Sequence, residues 1–182
     1  MLNVKILELL LNSQYNSSEL KAIQAPIKEA YKKIPEKAAL TLTAVGKIGE
    51  GISCKLETGR ASIQAGLHPK TGGSGMAVCS GDMLLEALAA CAGVTLSAVA
   101  TAMDITISDG SVIVEGDLDF RGTLGVDKTV PVGFTEIRIR FDIQSSATEE
   151  QLNSLYKLTE RYCVVYQTLQ KPPKINFQRK EK

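Results

Sequence analysis

The stretch GDMLLEALAACAGVTLSAVATA, residues 81–102, decides the fold, because it is the longest apolar window in a chain of 182 residues. Only Asp82 and Glu86 carry charge within it. Its central 18 residues, 83–100, approach the length of a membrane span, but their alanine content and the polar Thr95 favour a buried core helix. A helix that is apolar on all sides requires cover on all sides. We therefore expect this helix to lie at the centre of the domain.

Composition and charge exclude several classes of protein. The chain has 21 Lys and Arg against 20 Asp and Glu, a formal charge of +1, so no basic surface predicts a nucleic-acid or membrane partner. Four cysteines are too sparse for a disulfide-stapled mini-domain. The amino-terminal segment lacks the cleavage pattern of a secretory signal. We therefore expect a cytoplasmic protein, in which thiols are free, metal-bound or catalytic.

Around the core helix, the patterning predicts an α+β domain over residues 38–182, preceded by an N-terminal helical extension over residues 1–37. In the extension, the periodicity predicts helices at 4–11 and 17–34, the second kinked or split by Pro26. In the domain, the patterning predicts strands at 40–44, 52–56, 61–65, 105–108, 112–120, 134–143 and 174–179. It also predicts three helices. The first spans residues 81–102, the second runs from a capping box of Ser146 and Glu149 to about Tyr162, and the third spans Val164–Gln170.

Two of the four cysteines are candidates for chemistry. Cys91 lies midway along the core helix, where a purely structural cysteine would pack equally well. Cys163 lies at the break between two helical segments, where the free N–H groups of Val164 and Val165 are expected to lower a thiol pKa. Cys54 fits the inward face of a strand. The spacing alone leaves open whether Cys91 and Cys163 form a redox pair or are two structural cysteines.

Other reactive centres find little support. The spacings of Cys54, His68, Cys79 and Cys91 match no common metal-ligand pattern. His68 is the only imidazole and therefore the only base for a Cys–His hydrolase, but its glycine-rich surroundings are typical of a solvated turn. We expect no metal and no other cofactor.

The segments around the two candidate cysteines resemble those of the OsmC/Ohr family of thiol-dependent peroxidases. GDMLLEALAACAGVTL, around Cys91, is similar to the family's cysteine-bearing buried helix, and LTERYCVVYQTL, around Cys163, is similar to its second cysteine segment. The resemblance implies an OsmC-like fold in which antiparallel sheets wrap long buried helices and two chains intertwine into a homodimer. It also implies that organic hydroperoxides are reduced through a Cys91 sulfenic acid and a Cys91–Cys163 disulfide, which a lipoyl-protein or thioredoxin-like dithiol then reduces.

The resemblance implies further site residues. Because burial disfavours a thiolate, a cation is expected to compensate, and the family uses an arginine that precedes the helix. Arg60, in a predicted turn, is the candidate, and Arg121 is the alternative. Thr95 lies four residues after Cys91, on the same helix face, where it is placed to bind the sulfur or a carbonyl of its own helix.

The chain departs from the family pattern at two positions. The family's glutamate position is Gly81 here, with Asp82 beside it, and Val164 replaces a proline. Glu86 points about 140° away from Cys91 around the helix, which argues against direct contact; Asp82, Glu86 and Thr95 are retained as candidate binding residues. These departures motivate an alternative, a catalytically weak protein that binds a hydrophobic ligand or senses redox state. In a third interpretation, residues 1–37 dock a partner.

Overall fold

The computed structural model describes residues 16–42, 44–48, 53–58 and 61–179, and it confirms the predicted α+β class. The predicted helix at 4–11 and the turn that carries Arg60 lie outside these residues. Two 3-10 turns, Pro35–Ala38 and Pro69–Thr71, connect longer elements. The helices are α1 (Ser17–Lys33), α2 (Ser80–Ala102), α3 (Phe120–Thr123), α4 (Glu149–Tyr162) and α5 (Val164–Gln170); the strands are β1 (Gly46–Ile48), β2 (Ser53–Thr58), β3 (Ala61–Gly66), β4 (Val78–Cys79), β5 (Ile107–Asp117) and β6 (Glu136–Ser145).

The strands form two separate sheets. The first has the order β1-β2-β3-β4, antiparallel except for the parallel pair of β3 and β4. The second is the antiparallel pair of β5 and β6, in which Val114 lies opposite Ile139. Helix α2 packs against β5, α4 and α5, whereas the first sheet meets α2 mainly through β4. The domain core is therefore built by α2, the second sheet and the C-terminal helices.

One face of α2 supplies the centre of this core. Leu88, Ala92, Leu96 and Ala100 recur every four residues, and each is at most 3% exposed. This spacing places all four side chains on one side of the helix. The C-terminal pair packs with Leu155 of α4, while the N-terminal pair packs with Cys163. The predicted core helix is confirmed, and one of its two clusters contains a candidate cysteine.

A Schellman motif ends α2 and turns the chain back onto it. The Ile105 N–H donates to the Ala100 carbonyl at 2.9 Å, and the Asp104 N–H donates to the Thr101 carbonyl at 3.2 Å. Asp104 has a φ of 55°, the left-handed conformation that this position requires. Ile105 then packs into the same cluster as Ala100. This reversal delivers the chain to β5, which covers the buried face of α2.

Among the described residues, the opposite side of α2 is largely open, and only the start of α1 approaches it. By length and composition alone α2 is the one helix among the described residues that is able to cross a membrane, but only 22% of its most apolar window is buried. That similarity to a span is weak evidence, because the core helix of a water-soluble protein passes the same test. The prediction that other elements cover α2 on all sides therefore holds for only one side of the helix among the described residues. The uncovered side carries small apolar residues, namely Ala87, Ala90, Val94 and Ala98.

Two predicted interruptions of secondary structure are absent. Helix α1 continues through Pro26 as a single element, and the strands predicted at 105–108 and 112–120 are one strand, β5, with an irregularity near its start. Gly110 lies in the stretch between the two predicted strands. A Cβ atom on Gly110 would lie 2.8 Å from a side-chain carbon of Ile143 on β6. The glycine therefore permits a close cross-strand approach.

Other strand and helix boundaries differ from the predicted ones, because strand pairing and helix capping depend on contacts with the rest of the fold. The strand predicted at 174–179 has no strand partner among the described residues, and neither has the described part of 40–44. The capping box of α4 uses Thr148 and Gln151 in place of Ser146 and Glu149, since the Thr148 side chain accepts the Gln151 N–H. The strand predicted at 134–143 is shifted by two residues, to β6.

Candidate active site

Cys91 and Cys163 lie together in one apolar cluster. Cys91 projects from α2 and is half-buried, whereas Cys163 separates α4 from α5 and is 1% exposed. Both pack with Leu88, Ala92 and Val165. The two sulfurs are not bonded, and all four cysteines of the chain are free. The two candidate thiols thus face each other across the contact between α2 and α5.

The break at Cys163 creates a set of unpaired backbone donors. Cys163 ends α4 by donating its N–H to the Thr159 carbonyl, at 2.9 Å, and then adopts an extended conformation with φ −71° and ψ 108°. The first helical hydrogen bond of α5 runs from the Gln167 N–H to the Cys163 carbonyl, at 2.9 Å. The N–H groups of Val164 and Val165 therefore have no acceptor inside α5.

These donors meet the sulfur of Cys91. Burial by itself raises the pKa of the Cys91 thiol, but hydrogen bonds outweigh it and hold the pKa below its ordinary value. The strongest donors are the Val165 N–H and the Cys163 thiol. The Val164 N–H and the Thr95 hydroxyl add to them. The surroundings of Cys91 therefore favour a thiolate, the form of cysteine that attacks electrophiles.

Cys163 is shifted in the opposite direction. Burial raises the pKa of its thiol, and the neighbouring Cys91 raises it further, because a negative sulfur beside it disfavours a second charge. The N–H groups of Tyr166 and Val165 offset only part of this rise in pKa. The expectation that the start of the second helical segment lowers the pKa of Cys163 was wrong, since burial and the neighbouring Cys91 outweigh the N–H groups that act on it. Of the two thiols, Cys163 is thus the one whose surroundings disfavour ionisation.

The candidate arginines do not supply the expected cation within the described residues. Arg60 lies outside them. Arg121 forms an ion pair with Asp119, with 2.6 Å between Nη2 and Oδ2, on an exposed surface. The main influences on the pKa of Cys91 are burial and neutral donors, with no cation among them in the described ranges. Within the described residues, the pKa of Cys91 is therefore lowered by hydrogen bonds from neutral groups and not by a cation.

Asp82 and Glu86 are exposed on α2, and no ion pair joins either of them to another described residue. At Gly81, a Cβ atom would lie 3.5 Å from the Phe134 ring and 3.7 Å from the Cys79 sulfur, both ordinary contact distances. Packing therefore leaves room for a Cβ atom at this position. In the part of the chain that the structure describes, no group of three His, Cys, Asp or Glu residues is placed to hold a metal.

Comparison with known proteins identifies relatives that share this arrangement of elements. A family model described as OsmC-like protein matches residues 72–178, which include both candidate cysteines. A search of curated proteins found no match. One similar solved structure is an OsmC-like protein from Mycoplasma pneumoniae, with a TM-score of 0.61 and 23% identity, covering 73% of this chain and 89% of that chain.

Two further similar structures are organic hydroperoxide resistance proteins. The one from Elizabethkingia anophelis has a TM-score of 0.58 and 15% identity, covering 74% of this chain and 91% of that one. The one from Legionella pneumophila has a TM-score of 0.55 and 18% identity, covering 73% of this chain and 93% of that one. At these identities, the similarity shows a common fold.

The role of the Val164 N–H in lowering the pKa of Cys91 is tested by Val164→Pro. Proline has no N–H but suits the first position of a helix, Cys163 is already extended as a residue before proline prefers, and the Val164 side chain is 70% exposed. We expect alkylation of Cys91 at pH 7 to slow by about two- to tenfold, the equivalent of one hydrogen bond. Iodoacetamide labelling followed by peptide mass spectrometry measures this rate.

Val164→Ala is the matched control, because it removes the side chain and keeps the N–H. Its alkylation rate is expected to match that of the original protein. An equal loss of rate in both variants would show that the Val164 N–H does not act on Cys91.

Proposed function

Because the chain belongs to the OsmC family, we propose that it is a thiol-dependent peroxidase that reduces organic hydroperoxides. Two of its structural relatives are organic hydroperoxide resistance proteins. The observation that carries the proposal is the contact between two thiols whose pKa values are shifted in opposite directions. A peroxidase of this type needs one sulfur ready to attack and a second, protonated sulfur beside it.

In the first step, the Cys91 thiolate attacks the distal oxygen of the hydroperoxide. An S–O bond forms as the O–O bond breaks, so Cys91 becomes a sulfenic acid and the substrate leaves as an alkoxide, which takes up a proton to give the alcohol. The hydrogen bonds from Val164, Val165 and Thr95 support this step because they favour the ionised sulfur before substrate arrives.

In the second step, the Cys163 sulfur attacks the sulfenic sulfur. The S–S bond forms, and the hydroxyl of Cys91 leaves with the Cys163 proton as water. Contact between the two residues in the reduced protein supports direct disulfide formation. An external dithiol, of the lipoyl-protein or thioredoxin-like class, then reduces the disulfide by exchange and is itself oxidised.

The peroxidase proposal predicts a defined loss of thiols. When reduced protein is mixed with cumene hydroperoxide, we expect two of its four thiols to disappear faster than those of free cysteine. Cys91→Ser should abolish this loss, whereas Cys163→Ser should still oxidise at Cys91 without forming the disulfide. The rate should rise with pH and level off at a lower pH than for an ordinary thiol, because the pKa of Cys91 is lowered. Thiol titration and peptide mapping measure these changes.

Oxidation no faster than that of free cysteine would reject the peroxidase. Slow oxidation together with tight binding of an apolar ligand would instead support the alternative of a hydrophobic-ligand binder or thiol redox sensor, which the glycine at position 81 motivates.

We also propose that two copies of the chain form a homodimer through the open side of α2. That side is lined by small apolar residues, and Val94 on it is 73% exposed. The first sheet is fixed to its own core mainly through β4, and the extended C-terminal segment leaves Ile175 and Phe177 76% and 100% exposed. Exposed apolar surface of this extent is typical of an interface, and a second copy is its simplest partner.

The homodimer proposal predicts that Val94→Arg yields a monomer, since the arginine places a charge in the apolar contact. Asn153→Arg adds the same side chain to an exposed position of α4 and should leave the dimer intact. Sedimentation velocity measures the mass of each variant. A monomeric original protein, or a Val94→Arg variant that remains dimeric, would contradict the proposed interface.

The remaining expectations about context stay proposals. Helix α1 belongs to the extension over residues 1–37, and the family match begins only at residue 72. We propose that an extension over residues 1–37 precedes a catalytic domain over residues 38–182, and the helical conformation of residues 17–33 agrees with this division. The four free cysteines accord with the cytoplasm as the proposed location.

A further inference from the structure

A cleft with a volume of about 1050 Å³ lies on the open side of α2. The start of α1 forms one wall of this α1–α2 cleft, and the C-terminal half of α2 forms the other. Apolar side chains from both walls and from the chain after α2 line it among polar ones, namely Leu20, Val94, Ala98 and Ile105 beside Ser97 and Thr101. None of its lining residues belongs to the cluster that holds the two thiols. The cleft is therefore a separate feature of the fold.

The apolar surface of α1 extends beyond the cleft. Leu20, Ile23, Ile27 and Tyr31 follow one another at intervals of three or four residues, so they share one side of the helix. Ile27 and Tyr31 are 44% and 43% exposed. A surface helix usually turns such a stripe towards a core, but only the start of α1 approaches α2 within the described residues. Helices α1 and α2 thus leave two adjoining apolar surfaces uncovered.

We propose that residues 4–11 of the same chain form a helix that docks in the α1–α2 cleft and packs against both of its walls. The sequence of this N-terminal segment is VKILELLL, with six apolar residues and two charged ones, Lys5 and Glu8. The inference goes beyond the proposed function and does not depend on it.

The pattern of the N-terminal segment matches a cleft with two walls. Lys5 and Glu8 are three residues apart and share one narrow strip of a helix. At 100° per residue, the six apolar side chains spread over about 220° of the circumference. One neighbouring surface covers a stripe of roughly half that width. The segment therefore requires apolar contacts on two sides and leaves only its charged strip for solvent.

The course of the chain brings the N-terminal segment to this cleft. Asn16 caps the start of α1 and also lines the cleft, so residues 12–15 are the only link between the two. This link spans about 14 Å at full extension, and links of such length join helices that lie antiparallel and side by side. An eight-residue helix is about 12 Å long and 10–12 Å across, which gives it roughly the volume of the cleft.

The buried hydroxyl of Ser17 supports an occupant at this place. Ser17 lines the cleft and is 7% exposed, and its Oγ has no hydrogen-bond partner among the described residues. A buried hydroxyl without a partner is unfavourable. The backbone carbonyls of residues 12–15, which enter the cleft beside Ser17, supply acceptors for it.

The docked segment leaves space for the proposed homodimer. Ala98 and Thr101 line the cleft, whereas Ala87 and Ala90 lie on the N-terminal half of the same side, outside its lining. Val94 stands at the border between the two regions. The segment therefore restricts the dimer contact to the half of α2 that carries Ala87 and Ala90.

Docking is tested by hydrogen–deuterium exchange of the whole chain, followed by peptide mass spectrometry. A helix of eight residues is not stable in water on its own, so slow exchange of residues 4–11 requires packing. We expect their amides to exchange about tenfold more slowly, or slower still, than those of a disordered peptide with the same sequence. Exchange as fast as in that peptide would overturn the inference, also if it becomes slow on vesicles of phosphatidylcholine and phosphatidylglycerol, which would identify a membrane-binding helix.

A matched pair of substitutions tests the apolar side of the segment. Leu10→Lys places a charge at the centre of the apolar arc and should return residues 4–11 to the exchange rate of the disordered peptide. Glu8→Lys adds the same side chain to the charged strip and should leave the slow exchange unchanged. Equal effects of the two substitutions would contradict packing through the apolar arc.

A second matched pair tests the wall of the cleft. Ala98→Arg places a charged side chain on the α2 wall and should also release residues 4–11. Ala25→Arg adds the same side chain to an exposed position about 140° from Leu20 around α1 and should not release them. Unchanged exchange of α4 shows that each variant is folded. Slow exchange of residues 4–11 that persists in Ala98→Arg would overturn the inference.

Ala87→Arg separates docking on the same chain from docking on a second copy. This substitution lies outside the cleft and is expected to give a monomer, as measured by sedimentation velocity, in which residues 4–11 keep their slow exchange. Fast exchange of these residues in the folded monomer would assign the segment to the second copy and overturn the inference.

Discussion

The candidate site depends on hydrogen bonds from the first backbone N–H groups of α5 to the Cys91 sulfur. A break in the chain at Cys163 leaves those N–H groups without carbonyl partners, and a buried N–H without an acceptor is costly. The sulfur accepts them, and accepts them better as a thiolate. One contact therefore satisfies the start of a helix, joins α2 to α5 and shifts the pKa values of the two cysteines in opposite directions.

This contact also explains why the core is asymmetric. On the face of α2 that holds them, Leu88 and Ala92 pack with Cys163 and the second sheet, while the small residues of the opposite face stay largely uncovered by the described part of the chain. Within the described residues, the open face and the C-terminal segment leave apolar side chains uncovered, namely Val94, Ile175 and Phe177. A second copy on that face would lie close to Cys91, because Ala87 is four residues before Cys91 and Val94 three after it, on neighbouring positions of the helix surface. The proposed dimer would therefore border the proposed site.

Local signals in the sequence predicted the helices, whose bounds depend mainly on nearby residues. The capping preferences and periodicity placed α2, α4 and α5 within three residues of their observed bounds. The continuous β5 was missed because Gly110 is required by contact with another strand, which no local pattern records. The thiol pair could be named from its motifs, but the target of the Val164 and Val165 N–H groups could not. Which sulfur those donors reach is set by how α2 packs on α5, a contact between residues distant in the chain.

The pKa of the Cys91 thiol is lowered and that of the Cys163 thiol is raised. This order of pKa values is tested most directly by alkylating the reduced protein across a range of pH with isotopically distinct reagents and following the Cys91 and Cys163 peptides separately. The account predicts that Cys91 titrates below an ordinary thiol and Cys163 above one. Titration in the reverse order, or of both cysteines together at the ordinary pKa, would contradict it.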